Sequence, residues 1–395
     1  MTVTTARPTP GWTRIVWPAE YRSDRTPRQT LIIPTFNERD NIALLLSRLA
    51  AVLPARDTQI VFVDDSTDDT AEAIAAAATT CPIPVRVHHR LNRTGGLGGA
   101  VVEGMRIAEG EWIVVMDADL QHPPEMVPNL VAAGLRDGAD LVVATRYATR
   151  GGRAGLSNGL RRWVSQGSTT MARLLFPAAL GRISDPMSGF FAIRASSLEV
   201  AGLQPQGFKI LMELAVRTRP PRVVEVPYEF QSRYAGESKA DLRQGLRFAR
   251  HLAMLRFGPT RLRMFGVALI GASGLVPNLA AVWLLNAVIG MNVLVAAVVA
   301  NQAALMWNFL FIEELFRRRR NGSLLGRLGR FYALGNLDLV LRIPALACLV
   351  SIVHTGPLWG SLATLIASFI VRFFVLDRVI YAARQKPGEA NVVAA

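Results

Sequence analysis

The sequence predicts two unlike parts: an α/β domain with a largely parallel sheet, followed by an all-α membrane domain of four spanning helices. Three observations predict it. Strand-like and helix-like segments alternate in the N-terminal part, four long apolar stretches follow residue 260, and basic residues gather in alternate connectors of those stretches. The 395 residues carry 44 Lys plus Arg against 30 Asp plus Glu, a net charge of +14, yet 51% of residues are hydrophobic and 19% charged. Disorder needs low hydrophobicity, so a disordered tail protein is excluded. The sequence pI of about 10.9 invites a nucleic-acid reading, but the mean hydropathy is +0.27, the arginines flank apolar spans and no binding motif is present. Two cysteines, Cys81 and Cys348, cannot build a disulfide framework, so the soluble part reads as cytosolic. The opening MTVTTARPTPGW has no apolar core of a signal peptide.

Residues 1–28, rich in Pro, Arg and Thr, read as a flexible leader. Thr30–Ile33, Ile60–Val63, Val85–His88, Trp112–Met116 and Leu141–Ala144 are short apolar runs that read as strands. Asp40–Leu53, Asp68–Ala78, Gly98–Ala108 and Glu125–Leu135 read as the helices between them. This alternation calls for a largely parallel sheet with helices on both faces.

Met264–Ile289, Val293–Phe316, Phe331–Val353 and Leu358–Tyr381 each exceed the roughly 20 apolar residues that cross a bilayer. Arg261 and Arg263 precede the first, and Arg317, Arg318, Arg319, Arg320, Arg327 and Arg330 lie between the second and third. Arg378, Arg384 and Lys386 close the fourth, while Gly290–Asn292 and His354–Pro357 carry no Lys or Arg. The positive-inside rule then places both termini and the middle connector in the cytoplasm. Four buried helices of a soluble protein would not sort charge in this way. Asp241–Phe257 repeats Leu242, Leu246, Ala249 and Ala253 at helical spacing with Arg243, Arg247 and Arg250 opposite, the pattern of a helix in the membrane interface. A helix at the edge of a domain has the same pattern.

In an open parallel sheet, ligands bind outside the carboxyl ends of the strands. The first strand runs into Pro34, Thr35, Phe36, Asn37 and Glu38. The second runs into Asp64, Asp65, Ser66, Thr67 and Asp68, and the fourth into Asp117, Ala118, Asp119, Leu120, Gln121 and His122. Asp117 and Asp119 supply hard oxygen ligands, suited to Mg²⁺ or Mn²⁺ held together with substrate phosphates. Capping of the next helix is the ordinary alternative use of such aspartates.

PTFNE, VDDST, GGLGGA, DADLQHPPE, ATRY, DPMSGFFAIR and FQSRYAGESK occur in this order, and the chain thereby resembles the polyprenyl-phosphate (dolichol-phosphate) mannosyltransferases. These are inverting family 2 glycosyltransferases of GT-A (Rossmann-like) fold. The resemblance covers about residues 29–258, and the four spans resemble a GtrA-like membrane domain. It implies a leader over 1–28, a GT-A domain over 29–238, interfacial amphipathic helices over 239–261, a four-helix transmembrane domain over 262–383 and a cytoplasmic tail over 384–395.

Position by position, the resemblance assigns the sugar nucleotide to Pro34, Phe36, Glu38 and Asp65, and the metal, Mg²⁺ or Mn²⁺, to Asp117, Asp119 and Gln121. Asp119 would also reach the diphosphate. Arg146, Arg161, Ser165 and Arg233 would hold acceptor phosphate and donor diphosphate, with Ser238 and Lys239 on a loop closing over them. Arg161 and Ser165, at i and i+4, share a helix face; adjacent Arg162 offers the same charge, and the pair can also face lipid headgroups. Asp185 has three uses open to it: capping a turn, binding the sugar or orienting an arginine. His122 reads as a shaper of the metal loop rather than a base, and His88 and His89 as strand-end residues. Phe36 stands where many relatives have Tyr, Asp69 where Gly is common, and Thr94 where a Lys is frequent, a charge that Arg90 or Arg93 can supply.

The implied reaction moves mannose from GDP-mannose to a polyprenyl monophosphate at the plasma membrane, with the catalytic domain cytoplasmic. UDP-glucose is the alternative donor. A lipid-linked sugar transporter with an inactive soluble domain is the alternative of another class, because Asp338, Arg342 and Arg372 lie inside apolar stretches; Asp338 and Arg342 can instead pair to hold the bundle. Oligomeric state is open, a homo-oligomer included.

Overall fold

A computed structural model describes residues 14–16, 26–147, 167, 169–203, 209–218, 222–231, 242–351, 354 and 357–382. The chain divides into two units, Met1–Arg256 and Phe257–Ala395.

Among the described residues, the first unit is built on an eight-stranded sheet in the order β1-β4-β3-β2-β5-β7-β6-β8. The strands are β1 (Arg14–Val16), β2 (Gln29–Thr35), β3 (Thr58–Asp64), β4 (Val85–His89), β5 (Trp112–Val115), β6 (Leu141–Thr145), β7 (Phe191–Arg194) and β8 (Val223–Pro227). Helices α1 (Arg39–Val52), α2 (Thr70–Ala78), α3 (Gly96–Ile107) and α4 (Val127–Arg136) connect the first strands, and α5 (Ile210–Thr218) precedes β8. The expected helices thus start within two residues of the observed ones. On α1, Ile42, Leu45, Leu46 and Leu49 repeat at one-turn spacing and are buried, which fixes the helix against the sheet. Alternate strand residues feed two cores. Leu31, Ile33, Phe62 and Trp112 face one side; Ile32, Val61, Val63 and Val115 face the other, with residues of α3 and α5.

Two expectations need correction. The sheet is mixed: β7 runs antiparallel between β5 and β6, and β8 pairs parallel with β6. The leader also carries β1, paired antiparallel with β4 through Arg14–Val87, Ile15–Arg86 and Val16–Val85. Ladder hydrogen bonds to an existing edge hold this three-residue strand where local composition suggested none.

The central strand β2 pairs parallel with β3 on one side and β5 on the other. Chain order reverses between β2 and β5, so the loops after these two strands open a crevice at a topological switch point.

The helix Leu242–Ser273 is broken at Gly258, whose φ of +77° is left-handed backbone, with Pro259 next. Its first segment packs Phe248, Leu252 and Leu255 on the second core of the α/β unit, with His251 also buried. Ala249 and Arg250 are exposed. The face that docks on the domain is therefore offset from the one built on Leu242, Leu246, Ala249 and Ala253.

The second unit continues from Pro259 through α6 (Leu275–Trp283), α7 (Val293–Leu315), α8 (Leu324–Ser351) and α9 (Pro357–Val375). Among the described residues, four helical stretches, Phe248–Val288, Val295–Leu315, Leu324–Ser351 and Trp359–Ile380, are long and apolar enough to cross a membrane. Val267, Phe309, Phe316, Phe331 and Phe373 form its inner core, whereas Leu269, Val276, Trp283, Val298, Leu341 and Trp359 face outward. Such an apolar outer face suits lipid rather than water. Asp338 bonds the Ser368 hydroxyl of α9, not Arg342, and the Arg372 guanidinium lies 5.3 Å from the Phe331 ring centre. At one end of the bundle Glu313 receives Arg327 (2.7 and 3.0 Å) and the Tyr381 hydroxyl (2.6 Å). Asp377 receives both Arg263 (2.8 Å) and Arg319 (3.0 Å).

Candidate active site

The loop after β2 is held by the loop after β3. Asp64, fully buried, accepts from the Thr35 hydroxyl at 2.7 Å and lies 2.6 Å from His89 Nδ1. The Asn37 N–H donates to Ser66 Oγ (2.8 Å), Thr67 N–H donates to Asn37 Oδ1 (2.9 Å), and the Glu38 N–H donates to Thr70 Oγ1 (3.0 Å). Asn37 pays for this turn with a φ of +59°. Pro34 stays buried in β2, and Phe36 projects with 48% of its surface exposed. Asp65 is buried beside Arg90, which donates to it through Nε at 2.7 Å and a second, shorter bond. His88 and His89 end β4, as expected, and Asp64 is the partner of the His89 ring.

The loop after β5 carries Asp117, Asp119 and Gln121. Leu120 takes a φ of +62°, and the Gln121 N–H donates to Asp119 Oδ1 at 3.1 Å. Gln121 also exchanges bonds with Gln231, through N–H to carbonyl at 3.2 Å and its side-chain amide at 3.4 Å. His122 is 2% exposed, and its Nδ1 accepts the Asp117 N–H at 3.0 Å. Burial pushes its pKa down to about 4, Asp119 opposing, so the ring is neutral and closes the loop from within. It stacks on Phe190 at 5.0 Å, with Tyr228 and Phe230 edge-on at 6.0 Å. At Gly189 a Cβ would lie 3.2 Å from Asp117 Oδ2 and 3.3 Å from His122 Cε1, so this small residue allows the close approach.

Arg146 follows β6. Its guanidinium grips Asp185 in bidentate fashion, Nε to Oδ2 at 2.7 Å and Nη2 to Oδ1 at 3.0 Å. Asp185 is fully buried, and of its three possible uses this is the one the structure displays: it orients an arginine. Burial works against the Arg146 charge, but the bonds to Asp185 outweigh it and raise the pKa. Phe230 lies 5.4 Å from this guanidinium. A cavity of about 150 Å³ is lined by Asp117, His122, Arg146, Tyr228, Phe230 and Lys209.

Sequence reasoning missed Lys209. It sits one residue before α5 and donates to the Met187 carbonyl at 3.4 Å. Burial, then the Arg146 charge, push its pKa down to about 8, against Asp185 and Asp117. A lone Lys before an apolar helix carries no spacing signal; only the tertiary fold brings it to Asp117. Arg161, Ser165, Arg233, Ser238 and Lys239 lie outside the described residues.

By chemical type Asp117, Asp119 and Gln121 supply hard oxygen donors suited to a divalent cation, with the His122 ring standing beside Asp117, but among the described residues no three His, Cys, Asp or Glu side chains gather as a metal site.

Residues 30–201 match the glycosyl transferase family 2 model and residues 267–381 match the GtrA/DPMS transmembrane domain. The dolichol-phosphate mannosyltransferase of Pyrococcus furiosus is 34% identical over 357 residues, which cover 89% of this chain and 99% of that protein. The chain belongs to the dolichol-phosphate mannosyltransferase family. The Saccharomyces cerevisiae member is 38% identical over 254 residues, covering 60% of this chain and 91% of its own. A solved structure of glucosyl-3-phosphoglycerate synthase from Mycobacterium tuberculosis aligns with a TM-score of 0.43 at 22% identity, over 60% of this chain and 78% of that one. Family membership makes the α/β unit a GT-A glycosyltransferase domain and the apolar helices those of a membrane protein.

Proposed function

We propose that the protein transfers mannose from GDP-mannose to a polyprenyl monophosphate, with inversion at the anomeric carbon and release of GDP. One observation carries this reading. Asp117, the Arg146–Asp185 fork and Lys209 surround one cavity at the sheet's switch point, in a chain whose relatives are named for mannosyl transfer to dolichol phosphate.

Pro34, Phe36, Glu38 and Asp65 bind the nucleoside side of the donor. Asp117, Asp119 and Gln121 would hold Mg²⁺ or Mn²⁺, which when bound neutralises charge on the diphosphate leaving group. Arg146 meets phosphate oxygens with the remainder of its fork, Asp185 fixing its plane. Lys209 adds a point charge on the same side. Arg161, Ser165 and Arg233 complete the grip on acceptor phosphate, and Ser238 with Lys239 closes over it. An acceptor phosphate oxygen attacks the anomeric carbon, the C–O bond to the diphosphate breaks, and both electrons leave with GDP. A phosphate monoester is largely dianionic at neutral pH, its second pKa being about 6, so no base is required. His122 would be a poor one, since its Nδ1 already accepts from Asp117. Catalysis then consists of positioning and charge neutralisation.

Basic connectors orient the membrane domain with both termini and the catalytic unit in the cytoplasm, at the plasma membrane. The arginine-bearing segment before Gly258 would lie against anionic headgroups, each surface cation adding about 1 kcal/mol.

The test is purified full-length protein with Mg²⁺ or Mn²⁺, a polyprenyl phosphate, and GDP-mannose, UDP-glucose or UDP-N-acetylglucosamine in turn. Transfer from GDP-mannose, lost in Asp119→Asn at saturating metal, is expected. Transfer from UDP-glucose alone overturns the donor, near-normal turnover of Asp119→Asn overturns the metal site, and transfer from none favours the transporter.

A further inference from the structure

We propose that His251 and Glu213 are positioning residues for the transfer: they join the helix segment before Gly258 to α5 and so set Lys209 in the catalytic cavity. The inference rests on the glycosyl-transfer reading above. At the start of α5, Lys209 and Ile210 line the cavity shared with Asp117 and Arg146, and Lys209 Nζ donates at 3.4 Å to the carbonyl of Met187, another lining residue. Ile210, Glu213 and Arg217, at i, i+3 and i+7, share one face of this helix. Glu213 is 1% exposed; Arg217 Nε donates to its Oε1 at 2.8 Å, and the buried His251 places Nε2 3.7 Å from its Oε2. His251 comes from the other helix, where Phe248, His251, Leu252 and Leu255 have the i, i+3, i+4, i+7 spacing of a single face. Phe248, Leu252 and Leu255 enter the same core as Leu211, Leu214 and Ala215 of α5, while Arg250 is exposed.

A joint of this kind is a poor choice for stability alone. Taking a carboxylate out of water is costly, and apolar residues of similar volume often hold a core as well or better. What the buried contact adds is register. Hydrophobic burial is non-directional and tolerates a sliding helix, whereas Glu213 meets Arg217 and His251 together only in one relative position of the two helices. α5 has nine residues, about 13 Å of helix, with Lys209 directly before its first residue. So short and rigid an element passes a shift at Glu213 on to the Lys209 ammonium rather than absorbing it. A cation beside a developing phosphate charge acts through its placement, and a displacement of about 1 Å can cost on the order of a hundredfold in rate.

The experiment measures sugar transfer by full-length protein in nanodiscs holding a polyprenyl phosphate, with Mg²⁺ and whichever of GDP-mannose and UDP-glucose the wild type uses. Wild type is compared with His251→Phe, His251→Gln, Lys209→Gln and the double variant Lys209→Gln/His251→Phe. Phe fills the space of the ring without its nitrogens, whereas Gln keeps an N–H donor for the Glu213 carboxylate. We expect His251→Phe to lower kcat on the order of tenfold with donor KM changed less than about threefold, and His251→Gln to recover most of that loss. In the Lys209→Gln background, His251→Phe should cost less than about twofold more, because the group it positions is already gone. A general loss of folding would lower kcat by the same factor in both backgrounds. Multiplied losses therefore overturn the inference, as does full turnover by His251→Phe or by Lys209→Gln. In each of these outcomes transfer by the wild type leaves the functional reading standing. A wild type that transfers from neither donor overturns that reading and the inference together.

Discussion

Asp185 has no exposed surface and gives both oxygens to Arg146, so deletion of either partner strands a buried charge. Asp185→Ala should cost about 3–5 kcal/mol in chemical denaturation, and the double variant Arg146→Met/Asp185→Leu should regain most of it while remaining inactive. That contrast separates what the pair does for the fold from what its arginine does for phosphate. His122 makes a pH prediction. Its folded pKa of about 4 lies below the unfolded value of about 6.5, so the folded form binds fewer protons across that interval. Its contribution to stability is therefore lost as pH falls from 6.5 to 4, by about 3 kcal/mol in all. His122→Asn keeps an acceptor for the Asp117 N–H without titrating, and the difference in unfolding midpoint between it and wild type should trace that loss. The position of Asp117 and Asp119 at the carboxyl end of β5 was legible because an apolar run ends in these two carboxylates. Lys209 and the Asp64–His89 contact were not, since their partners are assembled only when β4 and α5 take their places.

Elements show the same division. β2 to β6 were legible as apolar runs between breakers, and α1 to α4 by their periodicity. β7 has four residues and β8 is an edge strand with intermediate burial, so both depend on pairing partners rather than on their own pattern. The antiparallel entry of β7 between β5 and β6 is a tertiary choice that local sequence does not record. α4 packs over β6, β7 and β8 and sets Gly134 against the Trp112 ring that projects from β5, where a Cβ would come within 2.3 Å. Gly134→Ala should therefore cost about 1–3 kcal/mol through overpacking, read as a lowered thermal midpoint. Because β5 delivers the Asp117 loop, donor affinity should fall with it.

For the whole molecule, the four spans were the most legible feature, since span length and the sorting of arginines act over dozens of residues. Their orientation is testable with single cysteines in a Cys81→Ser/Cys348→Ser background. A membrane-impermeant maleimide added to intact cells should label Met291→Cys and spare Arg317→Cys; the reverse pattern would invert the topology. The ion cluster at Asp377 has a consequence for biogenesis. Arg263 and Arg319 are synthesised 114 and 58 residues before the carboxylate that joins them. Until the last span emerges from the ribosome, those two cations lack the carboxylate that joins them. A chain shortened ahead of Asp377 would then display unanswered arginines at its bundle, a mark by which membrane quality control could tell an unfinished copy from a complete one.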